Sequence, residues 1–126
     1  MPRPVLDEIL IHPAIRNAIA ASHRDIIEEA QACITENRVV VIGMATNPMV
    51  SNARKLLDKQ GVAYRYLEYG NYFSQWRRRN ALKMWTGWPT FPMIFIDGVL
   101  IGGLEDLKAL ADSGELKNLL NAVRIQ

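Results

Sequence analysis

Two stretches of this chain hold residues whose types and spacing could form a reactive or binding site. In the first, Pro92 follows an apolar residue and precedes the apolar run at 93–96. A proline before a strand donates no ladder hydrogen bond, and an X-Pro peptide adopts cis at low cost. In the second, Asn47 and Pro48 follow a β-branched run and favour the N-cap and first residue of a helix. A helix start stabilises a thiolate, but the stretch from Ala45 to Val50 contains no cysteine.

The elements that would position these stretches follow from hydrophobic spacing and from turn residues. Residues 13–21 and 23–35 are predicted helices, the second with Ser22 as N-cap and Asp25 as a partial capping box. The remaining predicted elements are strand 38–42, helix 48–60 ended by Gly61, strand 62–68, helix 72–85, strands 93–96 and 99–101 joined by Asp97-Gly98, and helices 103–111 and 115–123.

The order of these elements predicts an α/β fold. A strand-helix-strand unit requires a crossover and hence a parallel pair, whereas the two-residue turn Asp97-Gly98 requires an antiparallel pair. A mixed four-stranded sheet flanked by helices satisfies both requirements. A chain of 126 residues is long enough to bury the core of one such domain.

Composition and charge exclude several classes of protein. The net charge is +2, and the basic run Arg77 to Arg79 is not accompanied by the wider basic stripe that nucleic acid requires. The sequence shows neither an apolar run of membrane length nor a signal-peptide core. A single cysteine excludes an internal disulfide framework, and His12 and His23 have no metal-ligand partners at suitable spacing. We expect a cytoplasmic protein without a nucleic-acid partner, a membrane or a metal site.

From about Ser22 to Leu116 the sequence resembles glutaredoxins, and it looks most like their monothiol branch. The resemblance is carried by the strand VVVIG with its Asn-Pro helix start, the segment WTGWPTFP, the hairpin IDGVLIGG and the helix entry LEDL. It implies a thioredoxin-like fold over residues 22–126, with a cis peptide before Pro92 and a groove for glutathione. Residues 1–21 lie outside the match and read as an added helical extension.

The resemblance also implies that the catalytic residues are missing. It places Asn47 at the nucleophilic cysteine, Val50 at the second position of the motif, and Met44 where a lysine is usual. Thiol–disulfide exchange needs an attacking thiolate, and an amide supplies none. Ligation of an iron–sulfur cluster between that cysteine and glutathione would be lost for the same reason. No catalytic residue and no required cofactor are therefore predicted, and glutathione is the expected ligand.

The contacts that would hold glutathione follow from the same resemblance. Arg79 falls where a basic residue pairs with the glycyl carboxylate, and the backbone of Phe91 would meet the cysteinyl part. Glu105 keeps a carboxylate for the γ-glutamyl amine, and the helix start beside it offers N–H groups to the carboxylate. The predicted ligand-binding set is Asn47, Arg79, Thr90, Phe91, Pro92, Gly103, Leu104 and Glu105.

Asn47 and several other residues that could have a chemical role also have ordinary structural interpretations. Asn47 is a good helix cap in its own right. Cys33 lies on the apolar face of a predicted helix, where a free cysteine behaves as a small hydrophobe. Arg77 and Arg78 fit a solvated helix face, and Trp88 either walls the groove or packs in the core.

Three functional hypotheses remain open. The first is a redox-inactive binding module for glutathione, a related γ-glutamyl compound or a partner's extended segment. The second is a glutathione-dependent oxidoreductase or transferase that uses the thiol of bound glutathione, with Thr46, Ser51 or Asn47 as the activating group. The third is a structural subunit in which the N-terminal helix forms a homodimer.

Overall fold

The β-branched run VVVIG forms the central strand of the computed structural model, which describes residues 2–121. All five residues of this strand, β1 (Val39–Gly43), are buried. Strand β2 (Arg65–Glu68) pairs parallel with β1, and β3 (Met93–Ile96) pairs antiparallel on its other side. Strand β4 (Val99–Gly102) completes the order β2-β1-β3-β4. The predicted mixed four-stranded sheet is therefore confirmed.

Helices cover both faces of the sheet. Their bounds are α1 (Pro13–Ala21), α2 (Arg24–Glu36), α3 (Pro48–Lys59), α4 (Trp76–Thr86), α5 (Leu104–Asp112) and α6 (Glu115–Asn121), with a short 3-10 turn at Glu8–Leu10. Val40 and Ile42 of β1 pack with apolar residues of α2 and α4 on one face. Val39 and Val41 pack with those of α3, α5 and α6 on the other face. The alternation of side chains along one strand thus divides the core into two layers.

Local turn chemistry was predicted correctly at two places. Asn47 caps α3, and Gly61 follows its end in the left-handed region at φ 70°. Asp97 and Gly98 both have positive φ, at 50° and 80°. This is the requirement of a type I′ hairpin turn. The hairpin joins β3 directly to β4 and so brings the start of α5 back toward Pro92.

The predicted N-cap of α2 is wrong. Ser22 ends α1 instead, and its N–H donates to the carbonyl of Ile19 at 3.3 Å. His23 lies at the cap position of α2 in the left-handed region, with no side-chain cap bond. Asp25 does not complete a capping box but receives a hydrogen bond from Arg78 of α4 at 3.3 Å. The contact between the two helices, which no local pattern shows, takes this carboxylate.

Two other predicted elements are shorter in the structure. Strand β2 begins at Arg65, because Val62 still belongs to the turn that ends α3. The N–H of Val62 donates a hydrogen bond to the carbonyl of Leu57 there. Helix α4 begins at Trp76, because a turn occupies the residues that were predicted as its first. The predicted end of the last helix, at 123, lies outside the described residues.

The N-terminal extension adds helix without adding core. Neither the 3-10 turn nor α1 contains a buried residue, and Ile9 and Ile19 are each more than half exposed. Polar contacts hold the segment instead, such as the one from Arg3 Nη2 to the carbonyl of Trp85 at 3.4 Å. The division of the chain at residue 21 stays a prediction.

Removal of residues 1–20 is expected to lower the free energy of unfolding by less than about 1 kcal/mol, because surface groups away from the core contribute little. Denaturant unfolding of the full and truncated chains measures the difference. Light scattering of the same two samples tests the homodimer hypothesis, since a mass that halves on truncation would support it. A stability loss of several kcal/mol would contradict the view that the extension adds no core.

Candidate functional site

A groove of about 620 Å³ lies where the starts of α3 and α5 approach the loop before β3. It brings together seven of the eight residues that were predicted to bind a ligand. These seven are Asn47, Thr90, Phe91, Pro92, Gly103, Leu104 and Glu105. The groove is also lined by Met44, Pro48, Met49, Tyr72, Lys83, Trp88, Pro89 and Asp106. Segments distant in sequence thus converge at the edge of the sheet where β1 ends and β3 begins.

Asn47 uses its side chain to close the start of α3. Its Oδ1 accepts hydrogen bonds from the N–H groups of Met49 at 2.9 Å and Val50 at 3.3 Å. These donors have no partner inside the helix, and together with the helix dipole they would favour an anion. In this protein the amide oxygen already accepts from both. The groove therefore presents a neutral, internally satisfied cap where a thiolate could have been stabilised.

Phe91 and Pro92 form the floor of the groove. The peptide bond between them is cis. The Phe91 side chain is buried, whereas Thr90 just before it is exposed. The loop from Thr90 to Pro92 therefore lines the same groove as Asn47 at the start of α3.

Trp88 forms part of the groove wall. Within residues 2–121, its indole Nε1 is the one buried side-chain nitrogen or oxygen atom without a hydrogen-bond partner. It lies 3.7 Å from the position that a Cβ on Gly103 would take. The structure thus places Trp88 against the start of α5, where a Cβ at position 103 would make an ordinary van der Waals contact with the indole.

The start of α5 provides the polar end of the groove. Gly103 donates its N–H to Asp106 Oδ2 at 3.0 Å, so that donor is already used. Leu104 and Glu105 open the helix, and the N–H groups of a first turn have no partner within the helix. The Glu105 carboxylate is 80% exposed and meets Lys108 at 3.5 Å. Backbone donors and an accessible carboxylate thus lie side by side, as an amino acid terminus would require.

The eighth predicted residue, Arg79, is not brought to the groove. It is 6% exposed, and its Nη1 donates to the backbone carbonyls of Tyr69 at 2.9 Å and Ser74 at 2.6 Å. Burial lowers the pKa of this guanidinium. Arg79 therefore holds together the turn before α4, and no carboxylate pairs with it in the described structure.

Lys83 is the basic residue that lines the groove, and it was missed as a site residue. It lies one helical turn after Arg79, and its Nζ is 5.7 Å from the centre of the Phe91 ring. Residues four apart share one helix face, so the spacing was an available signal. Which of the two cations turns inward depends on the packing of α4 against α2 and could not be read from spacing alone.

The hydroxyl groups considered as thiol activators do not line the groove. Thr46 and Ser51 border a neighbouring cavity of about 380 Å³, together with Arg54 and Tyr66. Thr46 has a positive φ of 62°, an unusual conformation for a β-branched residue. Its Oγ1 donates to the adjacent carbonyl of Ala45 at 2.6 Å. Asn47 is the member of that set that reaches the groove.

The residues of the groove do not fit an iron–sulfur cluster. Such clusters are held mainly by cysteine thiolates, and the chain's one cysteine, Cys33, lies in α2 among core residues. Within the described part of the chain, no three His, Cys, Asp or Glu side chains converge as a metal site would need.

None of the described helices is long and apolar enough to span a bilayer.

Cys33 is expected to react slowly in the native protein. It is 8% exposed, and burial is the main cause that raises the pKa of its thiol. Each unit of upward shift removes about nine-tenths of the thiolate at neutral pH. Reaction with a bulky aromatic disulfide should therefore be at least about tenfold slower in buffer than in denaturant. Equal rates in the two conditions would show that the thiol is accessible.

The fold and the groove define a protein of the thioredoxin-like class. A family model described as Glutaredoxin matches residues 39–101. A "Glutaredoxin-like protein" of Dictyostelium discoideum is 52% identical over 104 residues, which cover 82% of this chain and 85% of that protein. The chain belongs to the glutaredoxin family.

Further comparisons agree with this assignment. A "Probable monothiol glutaredoxin 2" of Rickettsia prowazekii is 33% identical, over 77% of this chain and 92% of that protein. The crystal structure of a buckwheat glutaredoxin–glutathione complex superposes with a TM-score of 0.69 at 27% identity, covering 79% of this chain and 90% of that one.

Proposed function

We propose that this protein binds glutathione or a related γ-glutamyl compound in the groove and does not itself carry out thiol–disulfide exchange. The observation that carries the proposal is the cap of α3. Asn47 stands there without a nucleophile, while the rest of the groove keeps groups that suit a peptide ligand. A volume of about 620 Å³ is within the usual range for small-molecule sites.

Complementary charged and polar groups that line the groove support this class of ligand. Glutathione has a glycyl carboxylate at one end and an amine with a second carboxylate at the other. Lys83 would pair with the first carboxylate, in place of Arg79. The first-turn N–H groups of α5 would receive the second carboxylate, and Glu105 would meet the amine. The extended centre of the ligand would lie along the backbone of Phe91, as in β-type peptide recognition.

The buckwheat structure adds independent support, because that protein is a glutaredoxin crystallised with glutathione. The difference between a binding module and a catalyst then depends on one position. The side-chain amide of Asn47 cannot attack a disulfide as a thiolate does. No mixed disulfide between the protein and glutathione therefore forms at the groove. Turnover of the chain in a glutathione-coupled disulfide assay is expected to be undetectable.

Titration of reduced glutathione into isotope-labelled protein, followed by backbone amide shifts, tests the proposal. Saturable shifts are expected at Asn47, Phe91 and Glu105. Lys83→Ala should weaken binding about fivefold, the equivalent of ~1 kcal/mol for one partly exposed ion pair. Lys55→Ala, on the exposed face of α3 and outside the groove, is the matched control and should leave the affinity unchanged.

Two results would contradict the proposal. One is the absence of any shift with millimolar glutathione. The other is robust disulfide reduction that survives Cys33→Ser, because that variant has no thiol left to act as nucleophile.

A further inference from the structure

The turn between β2 and α4 presents large apolar side chains to solvent. Phe73 is 95% exposed, Tyr72 57% and Trp76 53%, and Met49 at the start of α3 is 52% exposed. Tyr72 and Met49 both line the groove, so the patch continues from its edge. We call these four residues the aromatic rim. Exposed apolar side chains grouped in this way are typical of a site of interaction.

The turn that carries Tyr72 and Phe73 of the aromatic rim is held in one conformation. Arg79 donates from inside to the carbonyls of Tyr69 and Ser74. Asn71 Oδ1 accepts from the N–H of Phe73 at 2.8 Å and from the hydroxyl of Ser74 at 3.2 Å. A buried arginine and a polar network thus fix a turn whose most exposed residue is a phenylalanine. Such preorganisation reduces the entropy that is lost on binding.

The charged residues of the segment that carries Tyr72, Phe73 and Trp76 are all basic, although Glu68 directly precedes this segment. The chain contains no acidic residue from 69 to 96 but has four basic ones, namely Arg77, Arg78, Arg79 and Lys83. Arg79 points inward, and Arg78 meets Asp25. Arg77 is exposed with its guanidinium 5.1 Å from the centre of the Trp76 ring, and Lys83 lies in the groove. Glu105 and Asp106 of α5 also line the groove.

We infer that the aromatic rim, with Arg77 and Lys83, is the docking surface for an acidic segment of a partner protein that also carries apolar side chains. Aromatic residues and arginine are the types that dominate binding energy in protein interfaces. The basic charge selects an acidic partner and disfavours a second copy of this surface, because like charges would face each other. Two available cations are few for nucleic acid, whose affinity comes mainly from phosphate contacts. The surface needs no bound glutathione.

A library of random 12-residue peptides displayed on phage, selected on the full chain without glutathione, tests this inference. We expect the recovered peptides to be rich in Asp and Glu interspersed with aromatic or aliphatic residues. Their affinity should fall about tenfold or more for Phe73→Ser and for Arg77→Glu, as for central interface residues. Both side chains are exposed, so neither change should disturb the fold.

Two matched controls remove the same chemistry elsewhere. Val99→Ser alters an apolar side chain that is 63% exposed on the hairpin, and Lys117→Glu reverses an exposed charge on α6. Both should bind the selected peptides as the unmodified protein does. The inference is overturned if no peptide is enriched, if the enriched peptides are neutral or basic, or if Phe73→Ser binds them normally.

The alternative occupants have their own readouts in the same experiment. Tight binding of a twelve-nucleotide oligothymidylate that is lost in Phe73→Ser would assign the surface to nucleic acid. A dimer in light scattering that dissociates in Phe73→Ser would assign it to a second copy. Either result would overturn the acidic-segment inference. Loss of glutathione binding alone would leave it standing, because the peptides are selected in its absence.

Discussion

Asn47→Cys is expected to create a reactive thiolate and measurable glutathione-coupled disulfide reduction, whereas the unmodified protein is expected to show none. The substitution removes the amide oxygen that now accepts from the N–H groups of Met49 and Val50. Both donors and the positive end of the α3 dipole would then face the new sulfur and lower the pKa of its thiol. A mixed disulfide between the new cysteine and glutathione could then form in the groove.

The measurement is made in a Cys33→Ser background, so that the new thiol is the single one. Alkylation by iodoacetamide at pH 7 should be about tenfold faster than that of Ser51→Cys, an exposed thiol on the same helix without the open amides. Met44 replaces the lysine that the family places nearby, so full family reactivity is not expected. Equal alkylation rates for the two cysteines would show that the start of α3 does not stabilise an anion.

Arg79→Met is expected to lower the free energy of unfolding by about 3 kcal/mol, because it removes charge-assisted hydrogen bonds and leaves two carbonyls without a donor. The methionine keeps much of the buried volume, so the loss reports on the polar contacts with Tyr69 and Ser74. Denaturant unfolding measures it. The amide resonances of residues 71–75 should also shift or broaden, because the turn loses its internal support.

The neighbouring arginine provides the matched control. Arg78 meets Asp25 at 3.3 Å across α2 and α4, with the carboxylate side chain 72% exposed. Arg78→Met should therefore cost less than about 1 kcal/mol, as exposed ion pairs do. If the two variants lose equal stability, the difference that the structure shows between buried Arg79 and partly buried Arg78 is incorrect.

Much of the fold and most of the candidate site could be predicted because the relevant signals are local. A β-branched run buries on both faces, Asn47-Pro48 starts a helix, and Asp97-Gly98 has the dihedral angles of a hairpin turn. Once the strands pair, these elements bring Asn47, Phe91 and Gly103 to one groove. The absence of a cysteine from residues 45–50 was equally visible, because residue types are read directly from the sequence.

Tertiary structure decided the features that depend on which neighbour a polar side chain finds. Ser22 and Asp25 match a capping pattern, but α2 packs against α4 and Asp25 meets Arg78 there. Three consecutive arginines are alike in sequence, and only packing gives them different partners. Arg77 lies over the Trp76 ring, Arg78 donates to Asp25, and Arg79 is buried against the turn. For the same reason Lys83, and not Arg79, lines the groove. The sequence by itself determined the framework and the absence of a cysteine at the start of α3, because backbone propensity and residue chemistry act over a few residues. The assignment of the charges required the three-dimensional arrangement, because a long cationic side chain reaches several partners and burial selects among them.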